Sequence, residues 1–228
     1  MNPAKPGETP RTPWIVGVSG ASGTPYAAAV LRALLAAGES VDLVVSRASR
    51  LTLLDETGIS FRDAHWRDDL RSWLARGADG KPDTFSVDLD AVRHWSAGDL
   101  AAGPSSGSYP TKGMLIVPAS TASVAGVALG LSKDLLQRAA SVTLKEGRKL
   151  VVAVRETPLN GQTLRHLVTL DDAGATVVPA SPAFYAGATH IQDLVDFVAG
   201  RVLDAAGVPH TLYRRWQGEL GGGAHRSG

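Results

Sequence analysis

Short apolar runs alternate along the chain with longer stretches whose apolar residues recur every three or four positions. The runs fall at residues 14–18, 41–45, 114–117, 150–154 and 176–178. They carry few polar positions, as strands buried on both faces do. The helical spacing predicts helices at 26–37, 48–56, 123–129, 135–145, 160–172 and 191–206, with Gly38 as a stop for the first. Such alternation predicts an α/β domain: a central, mostly parallel sheet covered by helices on both faces. Residues 58–108 break the rhythm. They mix Asp, Arg, Trp and Gly, and predict only a helix at 66–76, a short strand at 85–89 and a loop. An irregular stretch of that length is a candidate lid, contact surface or functional loop.

Composition narrows the possibilities. A chain of 228 residues suits one domain. Residues 1–13 and 217–228 are rich in Pro, Gly and polar residues, and are expected to form a disordered lead and a flexible tail around a domain at 14–216. The 23 basic and 22 acidic side chains leave a net charge of +1, which offers no electrostatic case for a nucleic-acid partner. There is no cysteine, so disulfides, thiolate metal sites and thiol nucleophiles are excluded. The six histidines show no close pairing, and no metal site is expected. No apolar run approaches the roughly 18 residues of a membrane span. The first residues hold no apolar signal core, and the expected location is cytoplasmic.

Ligands of open parallel sheets sit beyond the carboxyl ends of the strands, so the residues following each run carry the candidate chemistry. The first run leads into Gly17-Val-Ser-Gly20-Ala-Ser-Gly23 and then a helix. Glycine permits close backbone approach, and a helix N-terminus offers free amides to an anion. Gly20, Ala21 and Ser22 could cradle a phosphate or a ring edge; a tight turn with no ligand fits the same residues. This is not the dinucleotide fingerprint. That pattern needs glycine where this chain has Ser19, and an acid near the end of the second strand, where it has Ser46 and Arg47. A mononucleotide such as FMN suits it better. After the third run come Ser120, Thr121, Ala122 and Ser123, of which ordinary N-capping needs only one. After the fourth come Arg155 and Glu156, a pair that is costly at a buried strand end unless paired or used. After the fifth, a proline-stiffened loop presents Phe184 and Tyr185. The Ser-Ser-Gly-Ser turn at 105–108, with Ser106 and Gly107 at its centre, can nest an anion. Arg138 and Lys145 lie seven apart on one face of the helix at 135–145.

These motifs, in this order, resemble the UbiX/Pad1 flavin prenyltransferases. The resemblance rests on GVSGASGTPY, VVSRASR, SSGSY, VPASTASVAG, LLQRAASVTLKEGRKLVVAVRETPL, PAFY and LVDFVAGRVLD. It covers residues 14–216, with 58–97 fitting loosely as a variable insertion. It implies a Rossmann-like (flavodoxin-like) three-layer α/β fold assembled as a dodecamer. It implies metal-independent transfer of the dimethylallyl group of dimethylallyl monophosphate to N5 and C6 of reduced FMN. The product would be prenylated FMN, delivered to a UbiD-type decarboxylase in ubiquinone biosynthesis or aromatic-acid decarboxylation. Carried onto this chain, Gly20, Ala21, Ser22, Ser46, Ser120, Thr121, Ala122, Ser123 and Arg155 would contact FMN. Tyr185 and Arg201 would bind the dimethylallyl phosphate together with Lys145, Ser106 and Gly107, with Arg138 as a supporting cation. Glu156 and Ser22 would handle protons near the flavin. In this family the site forms where subunits meet, so these residues need not come from one chain.

Three departures stand out. Leu100 occupies a position where some members carry a tryptophan facing the prenyl group. Ala119 stands where cysteine is common, and Gly147 where a basic residue is usual. Two other readings compete. A non-catalytic FMN-binding or carrier protein would not need Glu156, Lys145, Tyr185 and Arg201 together. A relative of the flavin-dependent cysteine decarboxylases would carry a P-x-M-N-x-x-M-W motif, which this chain lacks.

Overall fold

The structure, a computed structural model, describes residues 11–82, 88–216 and 218. Among the described residues six strands form one sheet: β1 (Trp14–Val18), β2 (Val41–Val45), β3 (Val92–Ser96), β4 (Gly113–Ala119), β5 (Lys149–Val154) and β6 (Thr176–Pro179). Their order is β3-β2-β1-β4-β5-β6, and every neighbouring pair is parallel. The strand order therefore reverses between β1 and β4. This is a doubly wound Rossmann-type sheet, whose crevice opens at the carboxyl ends of those two strands.

Among the described residues seven α-helices flank the sheet: α1 (Thr24–Ala36), α2 (Arg47–Thr57), α3 (Trp66–Leu74), α4 (Thr121–Ala128), α5 (Leu135–Lys145), α6 (Gly161–Asp172) and α7 (Ile191–Ala206). Successive strand residues point to opposite faces, and the two cores divide accordingly. Val16, Leu43, Leu115 and Val151 pack with α1, α3 and α7. Ile15, Val44, Met114, Ile116 and Val152 pack with α4, α5 and α6. Each fully buried leucine or isoleucine here contributes about 2 kcal/mol relative to an exposed one. The result is the expected three-layer fold.

The five expected strands and the long helices lie where the pattern put them, within two or three residues at each end. In the insertion, the helix expected at 66–76 is α3, but the expected strand is not found where the pattern put it. Of the strand expected at 85–89, residues 85–87 lie outside the described residues, and Leu89 opens a short 3-10 turn (Leu89–Ala91). The strand is instead β3, paired with β2 from Val41↔Val92 to Val45↔Ser96. It is an edge strand in which only Val92 is buried. Its sequence therefore lacks the apolar signature. Arg11, inside the expected lead, is anchored: it pairs with Asp42 and donates to the carbonyls of Val41 and Ala91 at 2.7 and 3.1 Å. Residues 1–10, and the expected tail apart from Gly218, lie outside the described residues.

A parallel sheet has two rims, one where all strands begin and one where all end. A five-residue strand separates them by about 16 Å, at ~3.3 Å per residue.

Candidate active site

At the carboxyl rim, Ser19 joins the two walls of the crevice. It is fully buried. Its hydroxyl donates to the Pro118 carbonyl at 2.8 Å and accepts the Ser120 amide at 2.7 Å. This clasp between the ends of β1 and β4 accounts for serine where the dinucleotide pattern has glycine. The next residue, Gly20, has no room for a side chain: a Cβ there would lie 2.5 Å from the Ala48 Cβ. Ser46 and Ser120 cap α2 and α4, accepting the amides of Ser49 at 3.1 Å and Ser123 at 3.3 Å. Each cap also hydrogen-bonds the hydroxyl of the residue it caps. These serines, Thr121 and Ala122 thus form paired hydroxyls and first-turn backbone along one crevice.

The expectation of free amides at the start of α1 is corrected. Glu56 takes them: its carboxylate accepts the Gly23 and Thr24 amides at 2.8 Å each and the Thr24 hydroxyl at 2.6 Å. Glu56 lies in the last turn of α2, where its own helix dipole disfavours an acid; reaching across to the N-terminus of α1 reverses that sign. Sequence reading missed Glu56, and this misplaced charge was the available signal. Burial pushes its pKa up, but the side chains of Thr24 and Ser22 and the two amides outweigh burial and hold it below its ordinary value of 4.5. A depressed carboxylate stabilises the fold above its unfolded pKa, and that contribution is lost as pH falls through the folded pKa. The melting-temperature difference between the wild type and Glu56→Gln is therefore expected to be largest above about pH 4.5 and to vanish below it. A difference independent of pH in a thermal-melt series would remove charge from the explanation.

Arg155 closes this side by donating from Nε to the Ser22 carbonyl at 3.0 Å. Ser22, Tyr26, Glu56, Arg155, Pro182 and Leu194 line a cavity of about 520 Å³. Glu156 follows, exposed at the same rim, with Oε1 accepting its neighbour's amide, that of Thr157, at 2.9 Å. Hydroxyls, close-approach glycine backbone and one guanidinium suit a flavin mononucleotide: they match its ring edge, ribityl hydroxyls and phosphate.

The remaining candidates lie elsewhere. Lys145 ends α5 four residues before β5 begins, and the Ser106–Gly107 turn precedes β4, so both approach the amino rim. A Cβ on Gly107 would come within 2.7 Å of the Lys145 ammonium, which is ion-paired with Glu146. Arg138 donates to the Ser105 carbonyl at 3.1 Å. Arg148 donates to the carbonyls of Gly107 and Tyr109 at 2.7 and 2.9 Å. The turn thus has its carbonyls on cations.

A third group lies beside β6. Arg201 donates to Asp204 at 3.0 Å and to the Tyr213 hydroxyl at 3.4 Å. Phe197, Arg201, Asp204, Ser181 and Pro179 line a cavity of about 550 Å³. Burial acts to raise the Asp204 pKa, but bonds from Arg215, Tyr213 and His210 hold it far below the carboxylate range. Tyr185 meets Phe197 and Trp216 edge-on, each at 5.7 Å between ring centres. Sequence reading gave no role to Asp204 or Trp216. Among the described residues no hydrogen bond or ion pair joins Lys145 or Ser106 to Tyr185, Arg201 or the flavin cradle. No group of three or more His, Asp or Glu residues among them could hold a metal ion. No helix among them is long and apolar enough to cross a membrane.

A family model described as Flavoprotein matches residues 3–203. The flavin prenyltransferase UbiX of Streptomyces coelicolor is 92% identical over 210 residues, covering 92% of this chain and 97% of that protein. The chain belongs to the UbiX flavin prenyltransferase family. Solved structures agree. AnUbiX (PadA1), crystallised with FMN and dimethylallyl pyrophosphate, superposes with a TM-score of 0.77 at 32% identity, covering 92% of this chain and 99% of that one. A dodecameric FMN-dependent UbiX-like decarboxylase from Escherichia coli O157:H7 gives 0.76 at 36% identity, with 91% and 100% covered. Family membership makes this chain an FMN-binding enzyme of the transferase class. The departures sit quietly: Leu100 is half-exposed and Ala119 is buried at the end of β4.

Proposed function

We propose that this chain transfers the dimethylallyl group of dimethylallyl monophosphate to N5 and C6 of reduced FMN, making prenylated FMN for a UbiD-type decarboxylase. What supports this reading is the separation of the candidate residues between the two rims: Gly20, the paired serines and Arg155 at one, the Ser106–Gly107 turn with Lys145, Arg138 and Arg148 at the other. A site assembled from both needs at least two copies of the chain. An oligomer, and by analogy with the E. coli relative a dodecamer, supplies that. The reading places the enzyme in the cytoplasm.

Reduced FMN, when bound, supplies the electron-rich N5 and C6 that accept the allylic carbons. Gly20, Ala21, Ser22, Ser46, Ser120, Thr121, Ala122, Ser123 and Arg155 would hold it. Phosphate leaves with the electron pair of the allylic C–O bond. Lys145 and Arg201 stabilise the charge that develops on it, and the Tyr185 hydroxyl donates to it, with Ser106 and Gly107 offering further donors. Arg138 keeps the turn in place through the Ser105 carbonyl. Bond formation releases the protons of N5 and C6, and closure at C6 consumes the allylic double bond, whose inner carbon gains one proton; Glu156, with Ser22, would carry these protons, and the departing phosphate takes up the one released in excess.

The test is anaerobic. Protein, reduced FMN and dimethylallyl monophosphate are mixed without metal, and the extracted flavin is weighed by mass spectrometry; the pyrophosphate is run in parallel. A flavin heavier by one prenyl unit is expected with the monophosphate. Unmodified FMN with binding confirmed overturns the reading in favour of a carrier, and product from the pyrophosphate alone overturns the choice of donor.

A further inference from the structure

Asp42 is the one charged residue in β2, whose other four residues are apolar. Its side chain is fully buried. A carboxylate in that position is costly unless its oxygens are well bonded. Oδ1 is paired with the Arg11 guanidinium. Oδ2 accepts the Trp95 indole N–H at 2.9 Å and the Tyr109 hydroxyl at 2.8 Å. Burial raises the Tyr109 pKa, and the neighbouring Asp42 charge raises it further. The phenol therefore stays protonated and remains a donor.

Tyr109 is tied to the anion-binding turn by its main chain. Its amide donates to the Ser106 carbonyl at 3.2 Å, and its carbonyl shares the Arg148 guanidinium with that of Gly107. Its ring packs so tightly under the turn that a Cβ on Gly103 would lie 2.7 Å from it. The turn is thus gripped from two sides, by Arg148 on its carbonyls and by Asp42 on the phenol below. Trp95 shares the same carboxylate oxygen but makes no hydrogen bond to the turn.

We propose that Asp42 is a positioning residue for prenyl transfer: through the Tyr109 hydroxyl it fixes the Ser106–Gly107 turn against Lys145, so that the allylic phosphate meets a preformed set of donors. Arg11 balances the buried charge. The inference rests on the reading that this turn receives the phosphate of the allylic substrate.

The test compares Tyr109→Phe, which deletes only the hydroxyl, with Trp95→Phe, which deletes the other donor to the same oxygen. Steady-state rates are measured with dimethylallyl monophosphate and reduced FMN varied separately. Tyr109→Phe is expected to raise KM for dimethylallyl monophosphate about tenfold, the effect of losing a hydrogen bond to a charged group, with KM for FMN unmoved. Trp95→Phe should leave both constants near wild type. Arg148→Lys, which loosens the same turn from its main-chain side, should shift the same constant in the same direction, and serves if Tyr109→Phe does not fold. An unchanged KM for dimethylallyl monophosphate in both turn variants, or an equal rise in Trp95→Phe, overturns the proposal. Lys145→Ala separates the two levels of inference. If its KM for dimethylallyl monophosphate stays at wild type, the phosphate reading of the turn fails. If it rises while the turn variants do not change, only the role of Asp42 fails.

Discussion

Glu156→Gln lowers the rate of prenyl transfer by about 10²–10⁴-fold, the usual contribution of a positioned proton acceptor, while FMN remains bound. Glu156 sits two residues past the buried part of β5, beside Arg155, whose link to the Ser22 carbonyl fixes the rim at that point. One carboxylate oxygen caps the Thr157 amide; the other has no hydrogen-bond partner among the described residues, and the side chain is exposed. Glutamine keeps the cap and the shape but cannot take a proton. The cradle of Gly20, the paired serines and Arg155 is untouched, so flavin affinity should hold. Flavin titration together with single-turnover rates checks both halves. Wild-type turnover would remove Glu156 from the proton path and leave the departing phosphate as acceptor.

Lys145→Ala and Glu156→Gln, each impaired alone, are expected to regain activity when assembled into mixed oligomers. Lys145 approaches the amino rim and Glu156 the carboxyl rim, about 20 Å apart across the six residues of β5. If one catalytic site takes its phosphate grip from one chain and its proton acceptor from another, random mixing leaves about a quarter of sites with both native groups. Coexpression of two differently tagged variants, purification of doubly tagged assemblies and a rate measurement check this. No recovery in such assemblies would mean that both groups act within one chain.

The sequence carried most of this fold for a physical reason. Strands buried on both faces and helices with one apolar stripe leave periodic traces, and β1, β2, β4 and β5 have them. An edge strand such as β3, solvated along most of its length, leaves almost none, and its neighbour β2 supplies the pairing that defines it. The site was legible as residue types but not as geometry. Ser22, Ser46, Ser120 and Arg155 converge as expected because all follow strand ends. Ser106, Gly107 and Lys145 precede strands, and strand polarity alone sends them toward the other rim. Glu56 and Asp42 were passed over although each carries a local oddity: an acid in the last turn of a helix, and an acid inside an apolar strand. Both prove to be carboxylates that hold other residues' donors in place.

A designer grafting a dinucleotide pocket onto this sheet would start by restoring glycine at position 19. That exchange would supply the second glycine of the pattern, still leaving Ser22 where the third belongs, and would at the same time undo the clasp across the crevice. The Ser120 amide would lose its acceptor, and the Pro118 carbonyl would lose the hydroxyl that donates to it. Both groups sit at the start of α4, on the wall a new cofactor would have to lean against. Retargeting the loop therefore means rebuilding the opposite wall as well, with a new donor and acceptor to stand in for one hydroxyl.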